Sequence, residues 1–225
     1  FILPESLKQE NRRNFEWKRA NPIGTLKSLT RYPVISGLIL ALAFIYISSH
    51  AVQTNWAYFV KEKFSWTAAE IGWSLAVVGV AFAVIQGGLI RFIIPKLGQE
   101  RSVYLGIALY AVGFLLYGLA TEGWMMYPII IIYCLGSIAG PALQGIMSSA
   151  IPPNEQGELQ GGFTSLMSLA AIIGPLMMNG TFAWFTGDNA PVYFPGAAMI
   201  LGAVLTLISS LLARNTLKKH IVKTT

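Results

Sequence analysis

The chain has 225 residues, of which 54% are hydrophobic and only 12% are charged. An ordinary soluble domain carries about 25% charged residues, so the composition argues against one. The formal net charge of +6 could suit a nucleic-acid-binding protein, but the basic residues flank long apolar runs instead of forming one polar surface. We therefore expect no nucleic-acid partner.

Six long and almost uncharged apolar runs occupy the chain between residues 33 and 213. They cover residues 34–59, 68–94, 102–120, 124–150, 161–185 and 192–213. About 20 apolar residues in a helix span the roughly 30 Å hydrocarbon core of a bilayer. Backbone groups in lipid must be paired within the segment, so each run is predicted to be a helix. The predicted fold class is all-α: residues 33–213 form a bundle of six membrane-spanning helices.

The basic residues are distributed unequally between the two ends of this bundle. Seven Lys and Arg residues precede the first run, three lie at the end of the second run or between it and the third (Arg91, Lys96 and Arg101), and four lie in the tail, residues 214–225. Only Lys61 and Lys63 lie on the opposite side. Fourteen against two is a strong positive-inside bias, which predicts that both termini of this segment are cytoplasmic.

Residues 1–32 are predicted to be the end of a preceding helix followed by a charged cytoplasmic connector. The opening, Phe1-Ile2-Leu3-Pro4-Glu5, resembles the last turn of a membrane helix, so we expect the chain to be part of a longer polypeptide. Near the end of the connector, Asn21 suits a helix cap, Pro22 suits the first helical position, and apolar residues recur at positions 23, 26 and 29. These features predict a short amphipathic helix on the inner membrane surface, with an irregular linker as the alternative.

Large polar residues are concentrated in four of the six runs. They are Tyr46, His50, Gln53 and Thr54 in the first run, Gln86 in the second, Tyr133 and Gln144 in the fourth, and Asn179 in the fifth. The four in the first run recur at i, i+4, i+7 and i+8, on one face of a helix. Such groups are costly against lipid and usually face water or other helices. We predict a polar cavity lined by these eight residues, with the third and sixth runs peripheral. For the small polar residues, helix–helix bonding is the alternative.

Two Gly-Pro pairs interrupt the fourth and fifth runs near their middle: Gly140-Pro141 and Gly174-Pro175. Proline removes a hydrogen bond to the preceding turn, and glycine permits close approach of another backbone. We predict that both helices bend at these pairs and that the bends shape the cavity and permit gating. A static packing kink is the alternative.

The sequence carries no pattern typical of catalysis. All ten acidic residues lie in loops or near the ends of the runs, so no carboxylate is placed at mid-membrane. The two histidines and the single cysteine have no metal-ligand spacing, and no phosphate-binding or nucleophile motif is present. We therefore predict no enzymatic activity, no metal and no cofactor.

Three segments together resemble a known family. They are residues 3–7 (LPESL) with 15–24 (FEWKRANPIG), residues 151–161 (IPPNEQGELQG) and residues 168–175 (SLAAIIGP). The chain resembles the carboxyl-terminal half of a twelve-helix major facilitator superfamily transporter, of the tetracycline/proton antiporter type. The likeness extends over essentially all 225 residues.

A fourth segment, residues 95–101 (PKLGQER), resembles a degenerate copy of the family's Asp-Arg-x-Gly-Arg-Arg loop motif. Lys96, Gly98 and Arg101 fit the motif, and glycine there suits a tight turn. Pro95 stands where the acidic residue would be, which puts a helix-locking salt bridge in doubt. A basic turn that follows the positive-inside rule is the alternative.

The resemblance implies a function and a set of partners. The six runs would be helices seven to twelve, of which the family keeps nine and twelve peripheral; these are the third and sixth runs. The chain would form half of a proton-coupled efflux transporter that exports tetracycline-like or other amphipathic drugs by alternating access. Its partners would be the small-molecule substrate, protons, the lipid of a bacterial inner membrane and the amino-terminal six-helix half, which would carry most proton-coupling carboxylates.

Two other functions stay open at this point. A transporter of the same superfamily could import a metabolite, a sugar or a small anion, although a buried Arg or Lys expected for an anion is missing. A six-helix membrane scaffold or accessory subunit without a transport cycle is the third possibility.

Overall fold

The computed structural model describes residues 31–224, and every regular element in that part of the chain is helical. Within residues 31–224, six helical segments are long and apolar enough to cross a membrane, which confirms the predicted fold class. In chain order these first to sixth spans are Val34–Gln53, Ala68–Leu97, Gln99–Leu119, Gly123–Ser149, Pro153–Thr186 and Ala197–Lys218. The connector helix predicted before Arg31 lies outside the described residues.

The helix bounds differ from the apolar runs mainly at the ends. The helices are Pro33–Gln53, Trp56–Phe64, Ala68–Val84, Ile90–Leu97, Gln99–Leu119, Met126–Gly136, Ala139–Ser149, Gln156–Thr186 and Ala197–Thr224. Short 3₁₀ turns occupy Gly123–Met125 and Pro153–Glu155, and a π-helical turn occupies Ile85–Leu89. The last helix continues through most of the basic tail.

The sequence predicted one continuous helix over the first run, but the structure divides this run into two helices. The backbone N–H and the hydroxyl of Thr54 both donate to the carbonyl of His50, at 3.1 and 2.8 Å, and the helix ends there. Such local side-chain bonds compete with continuation of a helix. A separate helix, Trp56–Phe64, follows and is held to the end of the third span by Lys63, whose Nζ donates to the carbonyl of Gly118 at 2.6 Å.

The second span contains an irregularity that its hydropathy does not reveal. Its helix starts with a capping box, in which the Thr67 N–H donates to the Glu70 carboxylate at 2.8 Å and the Glu70 N–H donates back to the Thr67 hydroxyl. The helix then widens into the π-helical turn Ile85–Leu89. Each π turn adds a residue to the ladder and changes the direction in which later side chains point.

The fourth span is interrupted at Ser137 and Ile138. Their N–H groups donate to the carbonyls of Cys134 and Leu135, three residues back. Pro141 has no N–H to donate to the carbonyl of Ser137, four residues before it, so this ladder cannot continue normally. The fifth span, in contrast, runs as one helix through Pro175. Bending and gating at these prolines stay predictions.

The first span packs against the fifth and sixth, and the third packs against the fourth and sixth. The Ser209 hydroxyl donates to the carbonyl of Ala41 at 2.7 Å, and the Thr206 hydroxyl donates to the hydroxyl of Ser48 at 3.2 Å. Small polar residues of the sixth span therefore bond helices together. Between the third and fourth spans, a Cβ added to Gly106 would lie 2.6 Å from the backbone nitrogen of Ala139. The two helices approach closely because that glycine has no side chain.

Candidate functional site

A cavity of about 540 Å³ lies between the first four spans. Its wall combines polar, aromatic and aliphatic side chains and contains no charged group among the described residues. The lining residues are Ile45, Tyr46, Ser49, Val52, Gln53, Leu75, Val78, Phe82, Gln86, Tyr110, Tyr133 and Gly140. The structure thus brings together four of the eight predicted cavity residues, Tyr46, Gln53, Gln86 and Tyr133, and one of the bend residues, Gly140.

Hydrogen bonds fix two of the polar groups at this cavity. The side-chain amide of Gln144 donates to the hydroxyl of Tyr46 at 3.0 Å and joins the first span to the fourth. Gln53 Nε2 donates to the hydroxyl of Ser49 at 2.9 Å, one turn earlier on the first span. Gln144 thus acts on the cavity through Tyr46.

Tyr110 is the cavity residue that the polarity pattern missed. It belongs to the third span, which the sequence marked as peripheral, yet it lines the cavity beside Tyr133. Their ring centroids lie 5.0 Å apart. Gly106 and Gly113 flank Tyr110 at helical spacing and contact the fourth span, and this small-residue face was the signal that could have revealed it.

His50, Thr54 and Asn179 do not line this cavity. His50 packs against Gly174 of the fifth span, and its Nδ1 is buried without a partner among the described residues. Thr54 bonds back to its own helix. Asn179 lines a separate cavity of about 490 Å³ together with Asn55, whose side-chain nitrogen and oxygen are both buried and unpartnered within the described part of the chain.

The four bend residues occupy different environments. Pro141 follows the interruption of the fourth span, and an added Cβ on Gly140 would meet nothing within 4 Å. Gly174 lies directly against the His50 ring, so any side chain there would separate the first and fifth spans. Pro175 lies inside a helix without interruption.

The loop-motif residues form a turn between the second and third spans. Gly98 has a φ of +81°, a conformation that suits glycine and not residues with a Cβ. Lys96 and Arg101 are exposed and form no ion pair within residues 31–224. The turn is thus explained by Gly98, and the locking role of the basic residues stays a prediction.

An ion pair that the sequence did not predict joins two loops at one end of the bundle. Arg31 Nη2 lies 2.6 Å from a carboxylate oxygen of Glu155, and the Tyr32 hydroxyl donates to the same oxygen at 2.8 Å. Glu155 is 5% exposed and lies in the 3₁₀ turn before the fifth span. The hydrogen bond to this carboxylate raises the pKa of Tyr32. The start of the first span is therefore held against the start of the fifth.

An apolar groove of about 490 Å³ lies between the second and fourth spans and is separate from both cavities described above. Trp73, Val80 and Val84 of the second span and Ile131 of the fourth contribute to it. The second span thus separates an apolar groove from the polar cavity.

Comparisons with known proteins agree with this architecture. A model of the Major Facilitator Superfamily matches residues 2–222. "Tetracycline resistance protein, class C" of Escherichia coli is 31% identical over 208 residues, which are 92% of this chain and 51% of that protein. "Tetracycline resistance protein, class E" of Escherichia coli is 34% identical over 180 residues, 80% of this chain and 43% of that protein. "Hippocampus abundant transcript-like protein 1" of Homo sapiens is 24% identical and covers 95% of this chain and 46% of that protein.

The crystal structure of the human organic anion transporter MFSD10 (TETRAN) matches with a TM-score of 0.77 and covers 94% of this chain and 52% of that one. At 19% identity this likeness concerns the fold alone. The chain spans about half the length of the relatives it matches. With the family model covering nearly every residue, the chain belongs to the Major Facilitator Superfamily.

Proposed function

We propose that this chain is the carboxyl-terminal six-helix half of a proton-coupled transporter that exports tetracycline-like or other amphipathic drugs. Membership of the Major Facilitator Superfamily makes it part of a membrane transporter and not an enzyme. The observation that carries the proposal is the uncharged cavity in which Tyr46, Gln53, Gln86 and Tyr133 meet aliphatic side chains. Such a wall suits a ligand with both apolar surface and neutral hydrogen-bonding groups.

Unequal burial of the spans supports a missing second half. Within the most apolar window of each span, only 11% of the residues of the second span and 33% of those of the fifth are buried, against 39–61% in the others. Trp73 and Trp184, one on each of these two spans, are each more than two-thirds exposed. An amino-terminal six-helix half would cover part of these two faces.

The charge distribution supports proton coupling through groups outside this chain. No carboxylate lines the cavity among residues 31–224, and Glu155 is engaged at the end of the bundle. The proton-carrying carboxylates would therefore come from the amino-terminal half. We place the protein in a bacterial inner membrane, and the positive-inside bias supports an orientation with both termini of this segment cytoplasmic.

Alternating access requires the two halves to rock about the central cavity. The interruption of the fourth span before Pro141 and the π-helical turn of the second span both adjoin the cavity wall, at Gly140 and Gln86. These are the places where helix geometry departs from a regular ladder, and we assign the gating movement to them. Gly174 would keep the first and fifth spans together during that movement.

To test the proposal, the complete protein that contains this chain is expressed in a drug-susceptible bacterium that lacks its own efflux pumps. Cells should accumulate less tetracycline, and a protonophore should abolish the difference. The double variant Gln53→Ala, Gln86→Ala should restore accumulation, whereas Gln160→Ala, a Gln→Ala change outside the cavity, should not. Equal accumulation with and without the wild-type protein would refute the proposed function.

A further inference from the structure

Tyrosines from three spans meet at the polar cavity: Tyr46, Tyr110 and Tyr133. The Tyr46 hydroxyl accepts a hydrogen bond from Gln144 and keeps its own hydrogen to donate. The hydroxyls of Tyr110 and Tyr133 have no hydrogen-bond partner among the described residues. Both residues are nevertheless almost fully buried, with 8% of Tyr110 and 2% of Tyr133 exposed.

Tyr117, on the third span like Tyr110, is a tyrosine whose hydroxyl is fully buried and has no access to the cavity. It is 0% exposed, its ring lies 5.7 Å from that of Tyr133, and its hydroxyl is buried without a partner in the described part of the chain. The hydroxyls of Tyr110 and Tyr133 are not sealed in this way, and both residues line the cavity. These two hydroxyls therefore keep a small accessible area at the cavity.

The packing holds both rings in place before any ligand arrives. A Cβ added to Gly136 would lie 2.7 Å from Cγ of Tyr110, so the ring lies against the fourth span. Phe114 packs edge-on against Tyr133 with 5.2 Å between the ring centroids. Fixed donors lose little conformational entropy on binding, which favours affinity and selectivity.

We propose that Tyr110 is a substrate-binding residue and that the hydroxyls of Tyr110 and Tyr133 donate to carbonyl or enol oxygens at the edge of a flat, ring-fused substrate. The wall offers no charged partner to an isolated carboxylate or ammonium group. The rings of Phe82 and Tyr133 supply aromatic surface beside the donors. Tetracycline has such an oxygen-rich edge on fused rings. This inference rests on the proposed function, transport through this cavity.

The first experiment compares Tyr110→Phe with Tyr117→Phe in the complete protein. Both variants lose one hydroxyl from the same span, but only one hydroxyl faces the cavity. Tyr110→Phe should raise the KM for tetracycline about 3- to 10-fold, the contribution of one neutral hydrogen bond. Tyr117→Phe should leave KM within about twofold, because its hydroxyl bonds to nothing in the described structure. Tyr133→Phe should behave like Tyr110→Phe.

The second experiment does not depend on transport. Tyr110→Cys and Tyr117→Cys are treated with 2-aminoethyl methanethiosulfonate in membranes, with the wild type as the background for the buried Cys134. The cysteine at position 110 should react, that at position 117 should not, and excess tetracycline should slow the reaction at position 110.

The outcomes separate this inference from the proposed function. If the wild type exports tetracycline but Tyr110→Phe and Tyr117→Phe have equal KM values, the role of Tyr110 is refuted and the proposed function stands. An unreactive cysteine at position 110 overturns the inference whatever the transport result. If the wild type exports no tetracycline, the proposed function fails. In that case, slower labelling of position 110 in the presence of tetracycline supports the inference. Labelling that tetracycline does not slow refutes it.

Discussion

The close contact between the third and fourth spans makes Gly136→Ala a quantitative test of the packing. A Cβ at position 136 would lie 2.7 Å from Cγ and 2.8 Å from the backbone nitrogen of Tyr110. Ordinary carbon contacts need about 3.5 Å or more, so the two helices would have to separate by roughly 0.8 Å. Overpacking of this kind costs about 1–3 kcal/mol.

Gly140→Ala, one turn further along the same span, is the matched control. An added Cβ there meets nothing within 4 Å, and both substitutions gain a similar helix propensity, up to about 1 kcal/mol. The difference between the two variants therefore isolates the overpacking of Tyr110. In thermal unfolding of the detergent-purified complete protein, followed at one scan rate, Gly136→Ala should melt at least about 2 °C below Gly140→Ala. Equal melting temperatures would show that the spans do not approach as closely as the structure has them.

Three further predictions concern the irregular helices and the ion pair. Pro141→Ala restores a missing backbone donor, so it should raise the melting temperature and slow the turnover of tetracycline export, measured in vesicles. Glu155→Gln should lower the melting temperature by an amount equivalent to about 1 kcal/mol because it removes the nearer of the two carboxylates that Arg31 pairs with, and the difference should shrink in 1 M salt. Gly88→Ala should slow export more than Gly79→Ala because it also stiffens the π-helical turn; Gly79 is equally open on this half but lies in the regular part of the same span, so equal rates would argue against a hinge.

The sequence predicted the six spans correctly because their length and hydropathy are set by the bilayer and not by tertiary packing. It also predicted a polar face on the first span, but not which neighbour each residue on that face would meet. At about 100° per residue, Gln53 lies about 20° to one side of Tyr46, while His50 and Thr54 lie about 40° and 80° to the other. Tyr46 and Gln53 line the cavity, whereas His50 contacts the fifth span.

Polarity was a poor guide to Tyr110 for a related reason. The third span has few polar residues, so it was classed as peripheral, yet one face of it packs closely on the fourth span through Gly106 and Gly113. A single tyrosine on that face reaches the cavity. The π-helical turn Ile85–Leu89 escaped detection because hydropathy is insensitive to one extra residue in the backbone ladder. The ion pair of Arg31 with Glu155 joins residues 124 positions apart, and no local pattern relates them.

The structure divides the glycines into two kinds that the sequence cannot distinguish. Glycine in a helix costs about 1 kcal/mol relative to alanine, and close packing offsets this cost at positions such as Gly106 and Gly136. The second span is different: none of its glycines has a neighbour within 4 Å of an added Cβ among the described residues. These are Gly72, Gly79, Gly87 and Gly88. Small residues let membrane helices pack closely. Packing against helices of the proposed amino-terminal half would therefore offset the cost of these glycines. The least buried span of this bundle is thus the one in which every glycine lacks a close neighbour among the described residues, which is what half of a longer transporter would present.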